Sequence, residues 1–425
     1  MPQPRRQAAM VFIVVTLLLD VIGLGIIIPV LPHLVEHMLG DDASRAAEVY
    51  GLLASSYAVM QFLFAPVLGA LSDRFGRRPV LLVALFGFGI NYLIMGFAPS
   101  IFWLFLARIL SGVTGASITT ANAYIADIST PQNRSQNFGL VGAMFGIGFI
   151  IGPAVGGVLG HFGPRVPFFA AAAVVFANFL YGLLVLPESL AVEHRRPFKL
   201  TRANPLIGVL SLGRFKLVAG LALAFTFASL AQRGLETVWV LYTSYRYGWH
   251  ELENGLALAL VGVTAAIVQG GLIRKIMPVL GERRAVVAGL SLSLISMVLY
   301  GLASQSWMML AVVAVSALGG ISMPAIQGLV AGSVPPSEQG SVQGTLTSLM
   351  SLTAIAAPLI SSQLFAFFTR PTAPLQLPGA PFFAGALFVS LALVTSILVF
   401  RRIPATAPSP ADLVPGAAAE AGPAS

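Results

Sequence analysis

The chain has 425 residues, of which 57% are hydrophobic and 9% charged, with a formal net charge of +8. That balance excludes a water-soluble domain of this size and points to a polytopic membrane protein. The lack of cysteine excludes disulfides and thiolate chemistry, and the dispersed basic residues offer no basic face for nucleic acid.

The apolar runs are continuous and lack the alternation of a membrane barrel, so they predict helices of about 20 residues per crossing. Twelve spans are predicted, at 9–32, 49–71, 79–98, 101–127, 137–160, 166–187, 215–245, 251–276, 285–303, 307–333, 340–369 and 381–400. The first follows MPQPRRQ without a small-residue cleavage site, and it reads as a spanning helix rather than a removed signal. Asp20 lies in the middle of it. A carboxylate at that depth costs about 2.5–3.5 kcal/mol on insertion scales, so it should face cavity water or a partner. It is the first candidate for proton coupling, a buried packing carboxylate being the alternative. The stretch from His33 to Glu48 is expected to be a solvated loop.

Gln61, in YAVMQFLFAPVLG, is a polar group on an apolar helix, either lining a cavity or bonding a neighbouring helix. The loop Gly69 to Pro79 follows. Its glycines permit a tight turn, Pro79 suits a first helical turn, and Asp73 can pair with Arg77 or with a helix N-terminus. Asn91 and Tyr92 in the third span are cavity candidates. Arg108, inside the fourth, needs a counter-charge or cavity water, and Asp20 is one candidate to supply it. Asp127 ends that span and is expected at a gate, paired with Arg134.

The fifth span, GLVGAMFGIGFIIGPAVGG, carries Gly139, Gly148, Gly152, Pro153, Gly156 and Gly157. Small residues let a neighbouring helix approach, and proline deletes one backbone hydrogen bond. A polar interval of residues 191–213 reads as a linker between bundles 1–190 and 214–402, with a disordered tail over 403–425. Arg233 and Glu236 share one face of the seventh span. They either neutralise each other, or Glu236 serves as a second proton site. Trp239 is a cavity candidate and Tyr242 and Tyr245 read as interface aromatics. Gln327 is a further cavity candidate.

A shift of 205 residues aligns the halves. Gly115 falls on Gly320, Pro131 on Pro336, Gly139 on Gly344, Pro153 on Pro358, and Gly76 on Gly281. Such a repeat predicts an all-α protein of two pseudo-symmetric six-helix bundles with a binding site where they meet. Arg5, Arg6, Arg74, Arg78, Arg196 and Arg401 are among the basic residues on the side of both termini, against Arg45, Arg165, Arg246 and Arg370 opposite. The rule for basic loops then makes the termini cytoplasmic.

Together, LDVIGLGIIIPVLP, GALSDRFGRRPVLL, GIGFIIGPAVGG, TVWVLYTSYRYGW, GGISMPAIQGLVAGSV and QGSVQGTLTSL resemble the tetracycline-exporter group of drug/proton antiporters in the major facilitator superfamily. The resemblance implies a proton-coupled exporter of small amphipathic compounds in the cell (inner) membrane, acting as a monomer without cofactor or metal. It also implies that the Asp73 carboxylate helps lock the halves on the cytoplasmic side, meeting the eleventh helix near Gly340; Arg77, Asp127 and Arg134 are read beside it as gate residues. That group usually has an acid where Asn91 stands, a histidine near Ala265 and an acid near Ser293. Their replacement leaves Asp20 and Glu236, beside Arg108 and Arg233, as the candidates for proton coupling. A sugar or organic-acid importer and a lipid-handling membrane protein are the rival readings. No pattern for an enzyme site accompanies them.

Overall fold

The computed structural model describes residues 3–115, 117–130, 133–195 and 216–402. The first half contains α1 (Gln3–Ile27), α2 (Leu31–Met38), α3 (Ala43–Phe75), α4 (Arg77–Phe97), α5 (Ile101–Gly115), α6 (Ser117–Ile128), α7 (Arg134–His161) and α8 (Val166–Val185). The second contains α9 (Lys216–Tyr247), α10 (Glu251–Ile267), α11 (Ile273–Leu280), α12 (Glu282–Leu302), α13 (Ser306–Gly319), α14 (Ser322–Gly332), α15 (Pro336–Thr369) and α16 (Ala380–Arg402). Twelve segments among the described residues are long and apolar enough to cross a membrane. Most of the linker and all of the tail lie outside the described residues.

Among the described residues three crossings are interrupted, each where the sequence weakens the helix. Pro29, without an N–H, separates α1 from α2. The tenth crossing turns at Gly320 and Ile321, between α13 and α14. Between α10 and α11 a π-helical turn, Val268–Leu272, carries Gly270 and Gly271. The repeat also reaches the backbone. Gly76 and Gly281 both take left-handed φ angles, 104° and 70°, each directly before a helix.

The expected loop from His33 to Glu48 is mostly helical instead. Leu31, Leu34 and Val35 form a buried stripe that holds the segment as α2. Asp42 then caps α3 by accepting from Arg45 N at 3.0 Å. Each half has its own apolar core. A third cluster joins the halves, packing Ala47 of α3 with Trp239, Tyr242 and Phe365 of the second half. We call the face where α1 begins and α16 ends the terminal face, and the other the distal face.

Candidate functional site

A cavity of about 470 Å³ opens in the second half, lined by apolar side chains with Gln232, Glu236, Trp239, Gln269 and Gln327. Phe149 of α7 reaches it from the first half. Ala265 and Ser293 line it too, so the two substituted positions face the same space. Trp239 packs edge-on against Tyr300 at 5.7 Å between ring centres, and its buried indole N–H finds no acceptor. Tyr242, by contrast, belongs to the distal core, donating to the Ala303 carbonyl at 3.1 Å.

The Arg233 and Glu236 side chains, half-exposed, pair at 3.0 Å, as their spacing allows. Gln232 also donates to Glu236 at 3.1 Å. This acid is therefore matched in the state described.

Asp20 stands in the first half beside Asn178, and its Oδ1 is enclosed without a hydrogen-bond partner. It lines a second cavity of about 40 Å³ with Tyr57, Tyr92 and Gly115, large enough for a few waters. Asn91, one residue from Tyr92, is wholly buried and lines neither cavity. Its Nδ2 points to the Met95 sulfur at 3.8 Å. Gln61 donates to the Tyr57 hydroxyl at 3.2 Å, one helical turn away.

Arg108 does not reach Asp20. Its guanidinium lies 5.9 Å from the centre of the Tyr57 ring, with Tyr50 and Tyr92 as further neighbours. Tyr92 neighbours both Asp20 and Arg108, while Tyr57 neighbours both Arg108 and Arg233. Gly112 and Gly115 make this approach possible, because a Cβ on Gly115 would stand 3.0 Å from the Tyr57 hydroxyl. Tyr92 and Tyr57 thus stand in the electrostatic surroundings of Asp20, Arg108 and Arg233, with direct approaches between Arg108 and Tyr57 and between Arg233 and Glu236.

On the terminal face, Arg77 is nearly buried and holds two acids, Asp73 at 2.5 Å and Asp127 at 3.1 Å. Asp73 thus pairs within its own loop; the contacts of its expected partner, Gly340 of the eleventh span, lie outside the described set. Asp127 binds Arg77 and the Ser189 hydroxyl; the Arg134 side chain lies outside the described set. Glu188, which motif reasoning passed over, anchors the cluster. Its carboxylate accepts from the backbone N–H groups of Arg77 at 2.9 Å, Arg78 at 3.3 Å, and Ser189 and Leu190 at 3.0 Å each. A carboxylate at the start of α4 also suits the helix dipole. An acid immediately after Pro187, at the end of the sixth span, is the sequence signal that would have marked it.

The glycine-proline helix α7 serves two contacts. Gly148 and Gly152 lie against α1, where added Cβ atoms would come 2.7 Å from Val21 Cγ1 and 2.7 Å from Gly25 Cα. Gly156 abuts the Ile26 carbonyl on the same helix. Gly157 instead faces Gly255 of α10 across the seam, while Pro153 sets its ring against Gly25 of α1 and its carbonyl towards Gly255.

The halves are joined towards the distal face. Ser44 donates to the Ala366 carbonyl and Ser55 to that of Ile355, each at 2.8 Å. Ser244 lies 3.2 Å from His33 Nε2, and Arg370 pairs with Glu48. Towards the terminal face, Cβ atoms on Gly69, Gly139, Gly142, Gly146, Gly270, Gly271 or Gly344 would meet nothing within 4 Å. Among the described residues no group of three His, Cys, Asp or Glu side chains could hold a metal.

Residues 13–280 and 276–422 match the family described as Major Facilitator Superfamily. The chain is 40% identical over 362 residues to the tetracycline resistance protein, class C, of Escherichia coli, covering 85% of this chain and 91% of that protein. It resembles the crystal structure of the human organic anion transporter MFSD10 (TETRAN), with a TM-score of 0.68 at 25% identity, covering 94% of this chain and 100% of that one. A bacterial homologue of the human lysosomal transporter Spinster, inward-facing and occupied, matches its fold with a TM-score of 0.76 at 16% identity, over 95% and 98% of the chains.

Proposed function

The chain belongs to the Major Facilitator Superfamily, and we propose that it is a proton-coupled exporter of small amphipathic or lipophilic compounds. The observation that carries this reading is a pairing within one molecule: a largely apolar 470 Å³ cavity and a mid-span carboxyl, Asp20, whose Oδ1 has no partner. Relatives that are tetracycline resistance proteins support export rather than import.

Basic loops retained on the cytoplasmic side make the terminal face cytoplasmic. With the seam fastened distally, the cavity then draws its cargo from the cytoplasm. Asp20 exchanges its proton when water reaches the small cavity, and Tyr92, Arg108 and Tyr57 connect that event to Arg233 and Glu236 in the other half. The bundles 1–190 and 214–402 act as two rocking bodies within one monomer. The Arg77 cluster keeps the first bundle's terminal end rigid as they move.

Everted membrane vesicles test the reading, with tetracycline as probe. An imposed gradient, acid inside, drives its accumulation in vesicles containing the protein. Uptake that equals that of protein-free vesicles, or ignores collapse of the gradient, overturns the proposal. Entry of a sugar or organic acid into intact cells, without tetracycline movement, would favour an importer.

A further inference from the structure

Arg108 is the cation that the transport reading leaves without a mate. Its Nε is enclosed and bonded to nothing, and among the described residues no carboxylate lies within ion-pair distance of it. Its neighbours Tyr50, Tyr57 and Tyr92 are phenols, uncharged at neutral pH. The Tyr57 face, 5.9 Å away, attracts a cation without neutralising it. A guanidinium inside a membrane protein calls for a counter-charge or water, and its planar fork matches a carboxylate or sulfonate.

The surroundings sharpen the point. Arg233 approaches Tyr57 from the second half, but its charge is already met by Glu236 at 3.0 Å. The cation that remains to be met is therefore Arg108, on the first-half side of Tyr57. The Tyr57 ring beside it, which also lines the small cavity next to Asp20, offers a face to a flat aromatic body.

We propose that Arg108 binds the anionic group of an amphipathic organic acid, a carboxylate or sulfonate on an aromatic frame, carried as cargo. This rests on the export reading and narrows it. An inside-negative membrane potential would itself push such an anion outward.

The test uses full-length protein in nanodiscs, with empty nanodiscs as blank, titrated with 1-pyrenebutyrate and with uncharged 1-pyrenebutanol. Wild-type protein should bind the acid about tenfold more tightly than the alcohol. Arg108→Gln should bring the two affinities together by weakening only the acid, and Arg108→Lys should restore part of the preference. Equal affinities in the wild type, a preference that survives Arg108→Gln, or binding of neither probe overturns the proposal. Gradient-driven tetracycline uptake without an anion preference sinks this inference alone. An anion preference without any gradient-driven uptake sinks the export reading instead.

Discussion

Gly157 and Gly255 meet across the seam between the halves, so closely that a Cβ on Gly157 would stand 3.0 Å from Gly255 Cα. Overpacking a fitted contact costs about 1–3 kcal/mol. Gly157→Leu should therefore hold the distal face ajar. Since the chain has no cysteine, Ala47→Cys gives a single reporter in the cluster joining the halves. Its labelling by a membrane-impermeant maleimide from the distal side should quicken at least about fivefold when Gly157→Leu is added. An unchanged rate would show that the glycine contact does not govern closure.

Arg77 is the shared partner of two carboxylates, and Glu188 holds the backbone that carries it. Arg77→Ala should lower thermal stability by about 1.5–3 kcal/mol, the range for hydrogen bonds to charged groups. Glu188→Gln keeps the shape but replaces charged acceptors with a neutral amide, so a smaller loss of about 1 kcal/mol is expected. Thermal unfolding of purified protein measures both. A Glu188→Gln variant as stable as the parent would make the cradle dispensable.

Asp20→Asn should leave the protein folded and membrane-inserted while abolishing uphill tetracycline movement in everted vesicles. Glu236→Gln should reduce it less, because that acid is already matched by Arg233. Full gradient-driven accumulation by Asp20→Asn would remove this carboxyl from the coupling step.

The unoccupied glycines allow a geometric prediction. Eighteen residues, five helical turns, separate Gly51 from Gly69, and the same eighteen separate Gly344 from Ser362. Gly51 already lies against Ser362, whereas a Cβ on Gly69 or Gly344 would meet nothing within 4 Å. Gly69→Cys with Gly344→Cys should form a disulfide under mild oxidation once the distal face opens, when their Cα atoms come within about 7 Å. Adding Gly157→Leu should increase the yield. Failure to cross-link under every condition would rule out closure along this register.

Much of this was legible from residue spacing, because the informative contacts are local. Glu236 lies three residues from Arg233 on one helical face, and Arg77 lies four from Asp73 across the Gly76 turn. The repeat was likewise readable, and it reappears in the φ angles of Gly76 and Gly281. Glu188 was missed because its partners at Arg77 lie 111 residues away. The position of Tyr57 between two arginines depends on three helices meeting, which no single-helix pattern encodes. The helical character of residues 33–38 is hidden in the sequence because His33, Glu36 and His37 interrupt a short apolar stripe.

The fastening of the distal face is made of modest parts. Two serine-to-carbonyl bonds and a serine–histidine contact contribute about 0.5–1.5 kcal/mol each, and the Arg370–Glu48 pair at the surface adds at most about 1 kcal/mol. One elementary charge crossing 100 mV releases about 2.3 kcal/mol, a comparable amount. The energy of one or two ions therefore matches that of these polar fastenings, and the apolar cluster around Ala47 is the larger hold on this side.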